Sequence, residues 1–321
     1  MMLLLEVINL ITYYQTRRGY VRAVENVDFT VEKGEALGLA GESGCGKTTV
    51  ALSLLKILPP NGRIMGGRIL FKGKDLVKLS EDEMRKRIRW KGISLIFQGA
   101  MNALNPVLTI EDQIIEAIRL HEPNVSKKEA EERGKKLFEL VGLEPNRIKN
   151  YPHEFSGGMR QRAMIAMAIA CNPNILIADE PGTALDVIVQ AQILKLLNEL
   201  KQKLGLSLIV ISHDLSLISE VCDKLVVMYA GKVVESGNIV RLFKDPLHPY
   251  TQALIRAFPD IKEERRKIES IPGNPPNLLN PPQGCRFHPR CKFAMDICKK
   301  EAPKLIEVSK NHYVACHLME G

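Results

Sequence analysis

The chain has 321 residues, 45% of them apolar, with 45 Lys and Arg against 37 Asp and Glu. That is enough apolar material for a full core and more than one domain, and it excludes a disordered or collagen-like chain. The net charge of +8 and an isoelectric point near 9.0 allow an anionic partner such as nucleotide, membrane surface or nucleic acid, without choosing among them.

Met1 to Leu5 is apolar, but it lacks a basic leader and a small-residue cleavage site, and Glu6 and Asn9 interrupt the apolar run. A first strand is therefore expected in place of a signal peptide. Further along, Ala36 to Ala40, Ser94 to Phe97, Ile175 to Ala178, Ser207 to Ile211 and Leu225 to Tyr229 are apolar in nearly every position, the pattern of parallel strands covered on both faces. Helical patterns separate them. Val187 to Leu204 repeats its apolar positions at three and four and stops at Gly205, and the charged stretch from Glu111 to Leu143 reads as a helical insertion, part of a helical subdomain over about 100–165. The longest apolar run, Ala163 to Cys171, is far shorter than a membrane span. A cytoplasmic location is expected, with Cys45, Cys171 and Cys222 as reduced thiols.

Composition changes near residue 240. The segment 241–321 holds 10 of the 18 prolines, a net charge of +5 and the last four cysteines, so the expected division is an α/β nucleotide-binding domain over 1–240 and a separate module over 241–321.

Gly41-Glu42-Ser43-Gly44-Cys45-Gly46-Lys47-Thr48, followed by Thr49, fits G-x-x-x-x-G-K-[ST] between an expected strand and a helix-compatible run, Thr48 to Leu55. Its glycines let backbone N–H groups turn inward around phosphates, the helix N-terminus adds positive potential, Lys47 reaches the β and γ phosphates, and Thr48 can hold Mg²⁺. The strand Ile175 to Ala178 runs into Asp179 and Glu180, where Asp179 would hold Mg²⁺ and Glu180 would sit beside the attacking water.

With Phe155-Ser156-Gly157-Gly158-Met-Arg-Gln-Arg162 the chain resembles the ABC-type ATPase subunits, whose signature is a Ser-Gly-Gly turn opening a helix. Gln98 stands where that family has its Q-loop, Ala184-Leu185-Asp186 fits its D-loop, and Ser212-His213-Asp214 its switch histidine; the resemblance covers roughly residues 5–240. It implies a P-loop NTPase fold with a helical subdomain. Tyr14, or alternatively Tyr20, would stack on adenine. Gln98, with Thr48 and Asp179, would serve Mg²⁺, Glu180 would act as general base and His213 would contact the γ-phosphate. Ser156, Gly157 and Gly158 would complete the ATP site of an opposing subunit, so hydrolysis implies a dimer. Gly99 and Ala100 stand where importers of this type usually have an acidic residue and proline, and Gly182 replaces a common threonine.

His248-Pro249-Tyr250-Thr251, the run Asn102-Ala-Leu-Asn105-Pro106 and the form of the signature resemble the ATPases of dipeptide and oligopeptide importers. Nickel and some oligosaccharide importers share these features. The resemblance implies a peripheral subunit on the cytoplasmic face of the membrane, working with a second, related ATPase, two membrane-spanning permeases and, outside the cell, a substrate-binding protein. A soluble ABC ATPase acting on nucleic acid or ribosomes is the competing reading, weakened by a single nucleotide domain and the His-Pro-Tyr extension; an electron-transfer protein would leave the ATP motifs unexplained. Cys285, Cys291, Cys298 and Cys316, spaced C-x5-C-x6-C-x17-C without paired C-x2-C knuckles, suit a [4Fe-4S] cluster, which peptide-importer ATPases with this spacing carry. Structural Zn²⁺ on the same ligands, with His288, His312 or His317 as substitutes, is the rival.

Overall fold

The computed structural model describes residues 3–99, 103–183, 185–257 and 271–320; Ala100, Asn102 and Ala184, named above, lie outside them. The chain forms two compact units, one of Met1–Lys78 with Ser212–Gly321 and the other of Leu79–Ile211.

The first unit begins with a long hairpin, Leu3–Thr16 against Gly19–Glu32. Gly62–Phe71 pairs antiparallel on the far side of the first strand, and the two-residue strand Lys74–Asp75 closes a four-stranded sheet. Alternation drives it: Val7, Val27, Phe29, Val31, Ile69 and Phe71 are buried while their neighbours are partly or fully exposed. The register slips between Val7 and Leu10 of the first strand, where Asn9 takes a positive φ of 47° and donates its N–H to the Asp28 carboxylate at 2.8 Å.

The same unit contains the expected strand Ala36–Ala40, wholly buried and parallel to Lys224–Tyr229. Lys232–Asn238 continues antiparallel, and beyond it lie His312–Val314 and Ile306–Ser309. The proline-rich tail thus contributes two strands hydrogen-bonded in series to Lys232–Asn238. Glu235 is wholly buried there, accepting from the N–H groups of Leu247 and His248, both at 2.9 Å, and meeting His312 Nε2 at 2.8 Å.

In the second unit Ile93–Ile96, Ile175–Asp179 and Ser207–Ser212 run parallel, the middle one between the other two. The charged insertion forms two helices, Ile110–His121 and Lys127–Leu140. Gly157–Ala168 and Val187–Leu204 follow, the second stopping as the sequence predicts at Gly205, φ 63°, with Asp186 at its N-cap. Thr109, Ser126, Ser156 and Asp186 each accept the N–H three residues on, which satisfies a donor the helix cannot use itself. Among the described residues no helix is long and apolar enough to cross a membrane.

Candidate functional site

The phosphate loop lies in the first unit, between the strand Ala36–Ala40 and the helix Lys47–Leu54. Gly41 and Gly46 take φ of 146° and 107°, and a side chain on either would collide with a backbone carbonyl, of Met228 and Ala23 respectively. Only glycine fits. Lys47 is 5% exposed, its ammonium donating to the carbonyls of Gly41 at 2.7 Å and Glu42 at 3.1 Å, with Cys45 Sγ at 3.7 Å. Burial pushes the Cys45 thiol up, opposed by the Lys47 charge, so the sulfur is a neutral packing group and not a nucleophile. Ser43, Gly44 and Thr48 face solvent, and Gly46 offers the helix no side-chain cap, which leaves the positive helix end to an anion. Tyr14 is half-buried on the first strand with its hydroxyl 3.1 Å from Thr49 Oγ1; Tyr20 is exposed and lies beside Tyr13. His213 is exposed, and its neighbour Asp214 caps the helix Leu215–Val221.

The acidic residues lie in the second unit. Asp179 ends the middle strand and is 2% exposed. Glu180 follows in left-handed backbone, φ 47°, with its N–H bonded to Ile211 O at 2.8 Å. A non-glycine residue in that region is held there at a cost that the surrounding structure must offset, a feature concentrated at functional sites. Gln98 Nε2 donates to Glu180 Oε2 at 2.9 Å and the Thr183 hydroxyl donates to the same oxygen at 3.0 Å, so two donors orient the carboxylate. The turn after Glu180 is tied down by Gln190, whose amide donates to the carbonyls of Gly182 at 2.7 Å and Leu185 at 3.2 Å. Neither Thr183 nor Gln190 carries a sequence signal, since a lone hydroxyl or amide has no motif. Ser156 is exposed and caps the signature helix through Met159 N–H, while Gly158 faces Val189 so closely that a Cβ there would approach it to 2.9 Å.

Thr48 in the first unit, and Gln98 and Asp179 in the second, each carry a hard oxygen donor of the kind that suits Mg²⁺. The metal-binding tail expected from the cysteine spacing is not shown by the structure. Among the described residues no group of three or more His, Cys, Asp or Glu is arranged to hold a metal ion. Cys285, Cys291, Cys298 and Cys316 are unpaired in disulfides and act on one another electrostatically without meeting at ligating geometry. The histidines proposed as zinc substitutes are engaged elsewhere: His312 with Glu235, His288 with the Cys285 carbonyl at 2.9 Å, and His317 with Glu320 and the Glu301 carbonyl. The donor chemistry still fits a thiolate-bound metal. Burial raises the thiols of Cys285, Cys291 and Cys316, and in each case the backbone N–H two residues on, of Phe287, Phe293 and Leu318, points at the sulfur and draws it back down. The same turn built three times places a donor where a thiolate would carry charge.

The site also contains residues that sequence reasoning missed. Arg290, whose side chain is 5% exposed, forks onto Glu42 of the phosphate loop at 2.6 and 3.0 Å, and the Tyr250 hydroxyl accepts the Glu42 N–H at 2.9 Å. Burial alone would lower the Arg290 guanidinium, but its hydrogen bonds to Glu42 and Tyr229 outweigh that and hold it above its ordinary range.

Residues 24–183 match the ABC transporter family and residues 234–298 match the oligopeptide/dipeptide transporter, C-terminal region. The chain is 43% identical over all of its length to the dipeptide transport ATP-binding protein DppD of Caldanaerobacter subterraneus subsp. tengcongensis, covering 98% of that protein. It is 48% identical over 98% of its length to the oligopeptide transport ATP-binding protein OppD of Escherichia coli, covering 92% of it. Among solved structures, the dimeric post-hydrolysis state of the ATP-binding cassette MJ0796 bound to ADP and Pi matches 73% of this chain and 98% of that one, with a TM-score of 0.65 at 26% identity. A phosphate loop closed by residues of the tail, together with matches to both regions, shows that the chain belongs to the ABC transporter ATP-binding proteins that carry the oligopeptide/dipeptide transporter C-terminal region.

Proposed function

We propose that this chain is the ATP-hydrolysing subunit that powers uptake of dipeptides and oligopeptides through a membrane ABC importer, peripheral to the membrane and paired with a second, related ATPase. Two permeases would carry the substrate, delivered from outside by a binding protein. The observation that carries the proposal is the joint presence of the phosphate loop and the His248-Pro249-Tyr250 region in one chain alignable end to end with peptide-transport ATPases. Lys47 and the loop N–H groups hold the phosphates, Tyr14 meets the adenine, Thr48 and Asp179 with Gln98 serve Mg²⁺, and Mg²⁺ supplies charge neutralisation at the phosphates. Glu180 takes the proton of the attacking water and His213 contacts the γ-phosphate. Ser156, Gly157 and Gly158 serve the nucleotide of the partner ATPase.

The four tail cysteines are proposed to hold a [4Fe-4S] cluster in a structural role. The three N–H groups aimed at thiol sulfurs support it, because such donors stabilise thiolates, and a segment with so little apolar core gains most from a metal crosslink.

Cells lacking this chain should lose uptake of labelled di- and oligopeptides and regain it with the intact chain; unchanged peptide uptake with loss of nickel or oligosaccharide uptake would reassign the cargo. Anaerobically purified protein should be brown and contain iron. Stoichiometric zinc without iron would replace the cluster by Zn²⁺.

A further inference from the structure

The five residues between Cys285 and Cys291 bring one part of the tail onto the ATP-binding loop. Three of them, Arg286, Phe287 and Arg290, are buried. Phe287 packs on Tyr229 and Tyr250, with ring centres 5.1 and 5.3 Å away, and the two tyrosines lie 4.6 Å from each other. Tyr250 is brought there by its own motif: His248 Nδ1 accepts the Tyr250 N–H and Pro249 opens the helix Pro249–Arg256. Burial pushes the Tyr250 phenol up, so its hydroxyl is neutral and accepts the Glu42 N–H. Arg290 meets the Glu42 carboxylate with both arms while its Nε donates to the Pro272 carbonyl at 2.7 Å and Nη1 reaches the Tyr229 hydroxyl at 3.3 Å. A second hold lies one turn away. Arg286 bonds the Ala230 carbonyl and Glu25, and the adjoining Gly231 N–H donates to the Cys45 carbonyl of the phosphate loop at 2.9 Å.

A carboxylate on a loop that wraps a triphosphate opposes binding unless its charge is neutralised, and a phosphate loop works only if its N–H groups are held facing inward. The geometry assigns Arg290 and Tyr250 as positioning residues for ATP: Arg290 neutralises Glu42 and fixes its side chain, Tyr250 fixes its backbone, and the tail is thereby a working part of the nucleotide site. This rests on ATP binding at residues 41–48. It adds to that reading a function for the Cys285–Cys291 segment that does not depend on which metal, if any, the cysteines hold.

The test measures MgATP affinity of the full chain with a fluorescent ATP analogue, and the KM and kcat of the assembled transporter. Unaltered protein that failed to bind would defeat the ATP reading itself and leave nothing to position. With binding present, Arg290→Ala should weaken affinity about tenfold or more, as loss of a charge-assisted pair does, and raise KM with little change in kcat. Arg290→Lys should fall between, keeping the charge without the fork. Glu42→Gln combined with Arg290→Ala should recover most of the affinity, since no carboxylate is left uncompensated. Affinity of Arg290→Ala within about twofold of the unaltered chain, or a double variant no better than the single, would overturn the proposal. Should Arg290→Ala not fold, Tyr250→Phe decides. It removes one oxygen within the same envelope and should weaken binding roughly threefold, and unchanged affinity in that variant would overturn it equally.

Discussion

Glu180 combines a left-handed backbone with two donors converging on one carboxylate oxygen. The donors leave the group oriented for proton transfer, and a glutamine in its place keeps the shape without the basicity. Glu180→Gln should therefore retain MgATP binding while turnover falls by about 100-fold or more. Single-turnover measurements showing near-normal hydrolysis would remove Glu180 from the role of base. Glu180 was legible in the sequence as a candidate, because an acidic pair ending an apolar strand after a phosphate loop is a local pattern. Its backbone state was not, nor were Thr183 and Gln190, which act through a turn whose shape no spacing encodes.

Among the elements, the short helix Pro249–Arg256 shows how a motif works. His248 is wholly buried at its N-cap, and burial lowers its pKa to about 3. In the unfolded chain the same imidazole titrates near its ordinary value of about 6.5. Between those values the unfolded chain holds a proton that the native one lacks. The stabilisation is complete above about pH 6.5 and is lost as pH falls toward 3, at a limiting rate of about 1.4 kcal/mol per pH unit. His248→Asn, which can still cap, should be less stable at pH 7 and show a shallower loss between pH 6.5 and 5 in urea midpoints; parallel curves for the two proteins would remove His248 as the cause. The five strands expected to be covered on both faces form within a residue or two of the expected bounds, because burial on both faces writes itself into every position, whereas the first strand, Leu3–Thr16, runs well past the apolar start at Met1 to Leu5. Strands Ile306–Ser309 and His312–Val314 escape notice, being short, the first partly exposed and the second stabilised by a partner strand roughly 70–80 positions earlier in the sequence.

For the whole molecule, the proposed exchange of signature and phosphate loop between two ATPases predicts an asymmetry. Ser156→Arg in this chain should impair hydrolysis at the partner's nucleotide more than at its own, and the isolated chain should hydrolyse slowly with a higher-order dependence on protein concentration. A linear dependence with full activity would refute the exchange. The order of the five nucleotide motifs makes this level legible in the sequence. The bond between tail and phosphate loop was not, since Arg290 and Glu42 stand 248 positions apart and neither has a distinctive neighbourhood.

That separation sets a schedule during synthesis. At roughly 5–20 residues per second, a ribosome makes Glu42 on the order of tens of seconds before Arg290. Over that interval the nascent phosphate loop carries an uncompensated carboxylate and lacks its two hydroxyl and guanidinium holds. A half-made chain is thereby disfavoured from capturing cellular ATP, and the nucleotide becomes a ligand that rewards only chains whose tail has already docked.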